Sequence, residues 1–303
     1  MAKRIIDSHA HIGDIFHERR NITFKTNIKK GDYEDPFIDC ERSGYTVPLI
    51  PKKVEDLIRA GQYRSWEWTL ENLTKELDEH PEVAGIVMLP IWPNQTFEEH
   101  LAVSKLEPRV IPFTSCAFDM PVGEMQDKLR RDIALGAKGL KLHPTIQNVP
   151  LDDARVDAAV AVFREADLPV LTHCGDNPYY TPDSPHSRVS TPAYSEVSRV
   201  VDFCRRWGDV RIIVAHCCGY VETFYPMIQG LSHVYTDTSM CSAARMRRGV
   251  ELLGEDKILF GTDVPFGSFH YSIAELDRAF PDAPEVLDKV ACTNIASLLK
   301  LRV

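Results

Sequence analysis

Eight short apolar runs, each bounded by turn residues, alternate along this chain with stretches of helical periodicity, and that alternation limits the fold more than any other feature. The runs lie at 3–9, 83–89, 110–116, 139–143, 170–173, 210–216, 234–238 and 258–263. Helical patterns fall between or after them at 66–80, 97–106, 122–135, 152–166, 196–207, 221–229, 243–253, 273–280 and 284–299. Strand alternating with helix predicts parallel β-α units, and eight of them predict a distorted (β/α)8 barrel of the TIM type. An open dinucleotide-binding sheet is the main alternative, but no G-x-G-x-x-G turn follows any strand. The expected organisation is one barrel over 1–303 with an insertion at about 12–64, after the first strand. That insertion is expected to act as a lid over the barrel mouth or to form a subunit contact.

Composition narrows the partners. A formal net charge of −9 opposes binding to nucleic acid or to an anionic membrane, since both repel it. No apolar run is long enough to span a bilayer. The eight cysteines contain no C-x-x-C pair, in a chain too large to need disulfide staples, so a reducing cytoplasm is the expected location.

The reactive residues fall at strand ends. Alternate strand side chains share a face, which puts Asp7, His9 and His11 together and makes Asp7 a candidate acceptor for a ligand's ring N–H. His173 closes the fifth strand, His216 the sixth and Asp263 the eighth, while Lys141 and His143 lie two apart at the end of the fourth. Any one of these could merely cap a strand. In a parallel barrel, however, all the carboxyl ends open on one face, so together they predict a metal or catalytic cluster there. His17, His80, His100, His186, His233 and His270 lack such positions and read as surface or loop residues. Cys116, Cys174, Cys217, Cys218 and Cys241 also follow strands, but several adjoin a candidate ligand and so face the other way. They read as small buried fillers, with a metal or redox role the lesser reading.

The motifs Asp7-Ser-His9-Ala-His11, Gly139-Leu-Lys141-Leu-His143-Pro, Thr172-His173, Ala215-His216 and Gly261-Thr-Asp263 resemble, in order, those of the amidohydrolase superfamily, in its amidohydrolase-related (amidohydrolase 2) branch. The resemblance runs from about residue 4 to 299. It implies a distorted (β/α)8 barrel holding a divalent ion, zinc first, with one ion expected and a second as the alternative. It further implies His9, His11, His173 and Asp263 as metal ligands and His216 as a catalytic or second-metal residue. Lys141 matches the lysine that some members carboxylate to bridge two metals, and the Lys-x-His pair leaves open whether Lys141 or His143 faces the ion. His216-Cys217-Cys218-Gly219 departs from the family's usual His-x-Gly-Gly.

The leading expectation is hydrolysis of an amide, lactone or similar carbonyl bond by metal-activated water, with Asp263 moving the proton and His216 stabilising the oxyanion or helping to deprotonate the water. The alternative is non-oxidative decarboxylation of a small unsaturated or aromatic acid; a non-catalytic metal-binding barrel ranks third. The substrate is expected to be a small molecule. It is a carboxylic acid if Arg188 or Arg245 clamps it, with Tyr179 and Trp92 as further wall residues. A homo-oligomer follows if the insertion is a subunit contact.

Overall fold

The computed structural model describes residues 3–17, 30–216 and 220–302. Nine parallel strands occur among them: β1 (Ile5–Ala10), β2 (Val83–Met88), β3 (Val110–Pro112), β4 (Thr114–Ser115), β5 (Leu140–Leu142), β6 (Val170–Thr172), β7 (Ile212–Val214), β8 (Val234–Asp237) and β9 (Ile258–Leu259). They pair as β1-β2-β3 and as β4 through β9 in sequence order. β3 and β4 are two halves of one expected strand, interrupted at Phe113. The Phe113 ring fills space that a Cβ on Gly139 would enter, 2.3 Å from the nearest ring carbon, so the residue just before the neighbouring strand has no side chain.

Backbone bonds span both seams between the two runs. The Phe113 N–H donates to the Met88 carbonyl at 3.1 Å, and the Thr114 N–H donates to the Gly139 carbonyl at 2.9 Å. At the other seam Ser8 donates to Phe260, His11 to Val264 and Asp263 to His9, each at 2.8 Å. The strands therefore take up the eight positions of a TIM barrel, as the alternation predicts. Every residue of β1 is buried, because barrel strands are covered by side chains inside and by helices outside.

Most helices stand where the periodicity puts them. Phe97–Leu106 opens with a capping box between Thr96 and Glu99, and Asp153 caps Ala154–Glu165. The expected helix at 66–80 is instead two. Val54–Glu67 ends at Trp68, and Thr69 caps a new helix, Leu70–Glu79, by accepting from the Asn72 N–H. Leu73 and Leu77 are fully buried, each worth roughly 1.5–3 kcal/mol of transfer free energy.

His100 corrects a sequence reading: it is fully buried, its Nε2 3.3 Å from the Gln95 side-chain oxygen. Burial pushes its pKa down to about 4, with the Met88 carbonyl pulling the other way. The unfolded chain binds this proton near pH 6.5, so the unfolded state gains as pH falls from about 6.5 towards 4. Between pH 7.5 and 4.5 this residue should remove about 2–3 kcal/mol of stability. Urea unfolding of wild type and His100→Gln at the two pH values checks this; an equal acid loss in both would refute it.

Of the insertion, residues 12–17 and 30–64 are described. They include the helix Pro36–Arg42 and the first part of Val54–Glu67. Arg64 ties this segment together, bonding Asp35 at 3.0 Å, Glu41 at 2.7 Å and the Pro265 carbonyl at 3.2 Å. Ile15, Phe16, Phe37 and Ala60 pack with Ile91, Ile146, Tyr180 and Phe266 in a small apolar cluster separate from the main core. These described residues thus lie over the carboxyl ends of the strands, on the face where the candidate residues converge.

Candidate metal and active site

Strand geometry delivers the first two histidines. His9 lies on the last turn of the β1 pleat and His11 just beyond it, and both are buried. The His11 Nδ1 lies 2.9 Å from the Leu89 carbonyl, which can only accept, so the proton sits on Nδ1 and the Nε2 lone pair is left free. The His9 Nδ1 lies 2.8 Å from Asp237 Oδ2, which frees its Nε2 in the same way. Both Nε2 atoms face one oxygen of Asp263, His9 at 3.4 Å and His11 at 3.7 Å from Oδ1.

Asp263 reaches this place through its backbone. Its φ of 60° is left-handed, uncommon for a residue with a side chain. A tight turn holds it there, since the Phe266 and Gly267 N–H groups both donate to the Asp263 carbonyl. A Cβ on Gly267 would lie 2.0 Å from the Thr262 carbonyl oxygen, so the turn admits only glycine. His216, just past β7, is likewise left-handed at φ 63°. Its Nδ1 is 2.9 Å from the Ser239 hydroxyl and 3.8 Å from Asp263 Oδ2.

The remaining candidates surround this group. Lys141 is fully buried, with Nζ 3.4 Å from His9 Nε2. His143 caps the short helix Pro144–Gln147 and stacks on His173 at 4.1 Å between ring centroids. The His173 Nε2 lies 2.8 Å from the Tyr179 hydroxyl and 3.2 Å from the Gly175 carbonyl. That carbonyl fixes the proton on Nε2 and leaves Nδ1 as the His173 lone pair. His173 and His216 are 4.8 Å apart, ring to ring.

Burial pushes the pKa values of His9, His11, His143, His173 and His216 well down, so all five rings are neutral and hold lone pairs. Burial raises Asp263 well above the usual carboxylate range, with the Lys141 ammonium opposing it. Lys141 is itself lowered by burial, against the pull of Asp263 and Asp237. Asp7 is pushed up to about 7 by burial, although the Thr262 hydroxyl holds it down.

This donor set fits a divalent cation. Two neutral imidazole lone pairs aimed at one carboxylate oxygen repel, and a cation among them reverses the sign. His9, His11 and Asp263 offer ligand atoms within 4.8 Å of one another, as do His9, His216 and Asp237. Imidazole and carboxylate without thiolate suits zinc or manganese. Cys116, Cys174 and Cys241 are buried free thiols, and Cys217 and Cys218 lie outside the described residues, as does Gly219. Burial raises the Cys116 thiol, which keeps it protonated.

Two residues of this site went unread in the sequence. Asp237 ends β8 at a position equivalent to the other strand-end ligands, a signal that was available. It takes the part expected of Asp7, which bonds instead to the backbone N–H of His9 and to Thr262. Ser239 carries no sequence signal, being one serine of a loop.

Above the cluster is a cavity of about 340 Å³ lined by His11, His173, His216, Asp263 and the insertion. Tyr179 and Arg245 line it, and among its described lining residues Arg245 is the one lysine or arginine. Arg188 and Trp92 are not in the lining. Arg188 is exposed on the turn Pro185–Val189, and the Trp92 indole N–H donates to Asp119 at 2.6 Å. Arg247 and Arg248 are exposed, Arg248 pairing with Glu222 and Glu251.

A buried histidine–aspartate cluster at the carboxyl mouth of a parallel barrel defines a class of metal-centred barrel enzymes. The family model Amidohydro_2, described as amidohydrolase, matches residues 6–301, and the chain belongs to that family of the amidohydrolase superfamily. No curated protein matches the sequence. Among solved structures, the chain is similar to 5-carboxyvanillate decarboxylase from Sphingomonas paucimobilis, at 15% identity and TM-score 0.65 over 99% of this chain and 100% of that one. It is also similar to a 5-carboxyvanillate decarboxylase from Novosphingobium aromaticivorans with bound manganese, at 14% identity and TM-score 0.66 over 99% and 98%. A probable 2-pyrone-4,6-dicarboxylic acid hydrolase from Acinetobacter baumannii follows at 13% and 0.62, over 98% and 100%. No helix among the described residues is long and apolar enough to cross a membrane.

Proposed function

We propose that this chain is a metal-dependent, non-oxidative decarboxylase of a small aromatic or unsaturated carboxylic acid. This reverses the order of the two enzymatic expectations. The observation that carries it is the cavity's composition: Ile15, Phe16, Leu49, Ile58 and Phe266 wall it with apolar surface directly above the polar cluster, and Arg245 supplies a cation. Such walls suit a flat ring and exclude water, which hydrolysis consumes and decarboxylation does not. A carboxylate in an apolar site is also poorly solvated, which favours its departure as neutral carbon dioxide. Two of the three similar structures named above are decarboxylases of a carboxylated phenol, which supports the same reading.

His9, His11, His173 and Asp263 would hold the ion, the histidines through the lone pairs their partners leave free. When bound, a divalent ion supplies fixed positive charge for the anionic oxygens of the substrate. Zinc finds no support over manganese, and the donor set admits either. Asp263 has a separate oxygen for each task. Oδ1 faces His9 and His11, whereas Oδ2 faces His216. A proton on Oδ2 passes to the ring carbon that bears the carboxylate. The bond from that carbon to the carboxylate then breaks, its electron pair restores the ring, and carbon dioxide leaves. Solvent admitted when the product leaves returns the proton to Asp263. Arg245, which has no ion-pair partner among the described residues, receives an anionic substituent of the acid. The described residues of the insertion that wall the cavity act as the lid that keeps water out.

Incubation with a panel of hydroxybenzoic and carboxylated methoxyphenolic acids should release carbon dioxide at about 1 s⁻¹ or faster for at least one member. In deuterium oxide one deuteron should appear on the carbon that lost the carboxylate. Rapid opening of a lactone, with no carbon dioxide from any acid, would replace this reading by hydrolysis.

A further inference from the structure

Asp237 gathers four donors. Its Oδ2 faces the His9 Nδ1, while its Oδ1 accepts the His216 N–H at 3.2 Å, the Ser239 N–H at 3.1 Å and the Ser239 hydroxyl at 2.6 Å. Backbone N–H groups can only donate, so Oδ1 is an acceptor and the serine proton points at it. The same hydroxyl lies 2.9 Å from the His216 Nδ1. With its one proton spent on Asp237, Ser239 has only lone pairs for the histidine, which must therefore donate from Nδ1. Asp237 and Ser239 are buried, as is Thr236 next to Asp237 in β8, so water does not compete for these bonds.

We propose that Ser239 is a positioning residue that fixes His216 in the Nδ1–H tautomer, leaving Nε2 as a hydrogen-bond acceptor for a hydroxyl of the substrate. The inference rests on the decarboxylase reading only in its last clause, since the tautomer belongs to the protein alone. Three features act to one end. Asp237 holds the His216 backbone in its left-handed turn through the main-chain N–H, orients the serine, and orients His9 through its other oxygen. One carboxylate thereby sets the free nitrogen of a metal-ligand candidate and of a substrate-facing histidine together. A phenol ortho to the scissile carboxylate is the substrate class this suits: its O–H donates to Nε2, an acceptor that an Nε2–H ring would not offer.

The test uses full-length protein labelled with ¹⁵N-histidine, loaded with diamagnetic zinc, with the His216 signals assigned by comparison with His216→Gln. Long-range proton–nitrogen spectra should show a protonated Nδ1 and an unprotonated Nε2. Ser239→Ala should shift His216 towards the other tautomer and lower kcat about 10- to 100-fold with KM changed far less. Ser239→Thr keeps the hydroxyl and should restore both. A proton on Nε2 in the wild type would overturn the proposal, as would an unchanged His216 spectrum in Ser239→Ala. If the spectra behave as expected but no acid is decarboxylated, the tautomer stands and the substrate assignment fails. The circular-dichroism melting curve of Ser239→Ala separates loss of fold from loss of position, and if that variant does not fold, Ser239→Gly, which also lacks the hydroxyl, takes its place.

Discussion

Purified without a tag, the protein should carry about one equivalent of a divalent ion per chain, and His9→Ala/His11→Ala should carry almost none. The double change removes both lone pairs that converge on Asp263 Oδ1, and no other pair of described residues is set up to replace them. Decarboxylation should fall by at least about 10³-fold, because the charge that neutralises the substrate's oxygens goes with the ion. Metal analysis of both proteins, with chelation and reconstitution of the wild type, measures this directly. Two equivalents would bring His216 and Asp237 into a second site, which their closeness to His9 allows. Full metal content in the double variant would refute the ligand assignment.

Asp263→Asn should lower kcat by roughly 10²- to 10⁴-fold, the usual worth of a positioned proton donor. The amide keeps the shape of the carboxyl and its oxygen can still face His9 and His11, but it cannot deliver a proton from Oδ2. The left-handed backbone is an advantage of this choice, since asparagine tolerates positive φ as well as aspartate does. Metal content must be measured in parallel. Retained metal with lost turnover assigns Asp263 to proton transfer. A loss of only a few fold, with metal retained, would move that task to another residue.

Much of this architecture is legible in the sequence because it depends on local pattern. Period-two apolar runs and 3.6-residue stripes mark strands and helices, and burial of both faces makes barrel strands nearly uniformly apolar. Since parallel strands all end on one face, a histidine or aspartate at a strand end is assigned to the mouth without coordinates. His9, His11, Lys141, His173, His216 and Asp263 were placed there in this way, and the structure brings them together. Local pattern also misleads where one side chain decides. Thr69 divides an otherwise continuous stripe by capping a new helix, and His100, on a helix face, is buried by what packs above it.

Tertiary structure alone settled the relations between distant segments. Asp237 and not Asp7 orients the His9 ring, because β8 and β1 flank β9 and their inward side chains meet over Gly261, a neighbourhood no spacing encodes. Arg245 reaches the cavity while Arg188 stays in solvent, although both follow strands on the same face, since the path of each loop is set by what it packs against. The insertion lacks a clear period, so its place over the mouth emerges only from its contacts with Phe266, Tyr180 and Ile146. The sequence by itself determined which chemistry-bearing groups share the barrel mouth, because strand direction is a local property propagated by parallel pairing. Which oxygen faces which nitrogen, and which tautomer each ring adopts, was decided by the tertiary structure, because hydrogen bonds are short-ranged and join residues far apart in the chain.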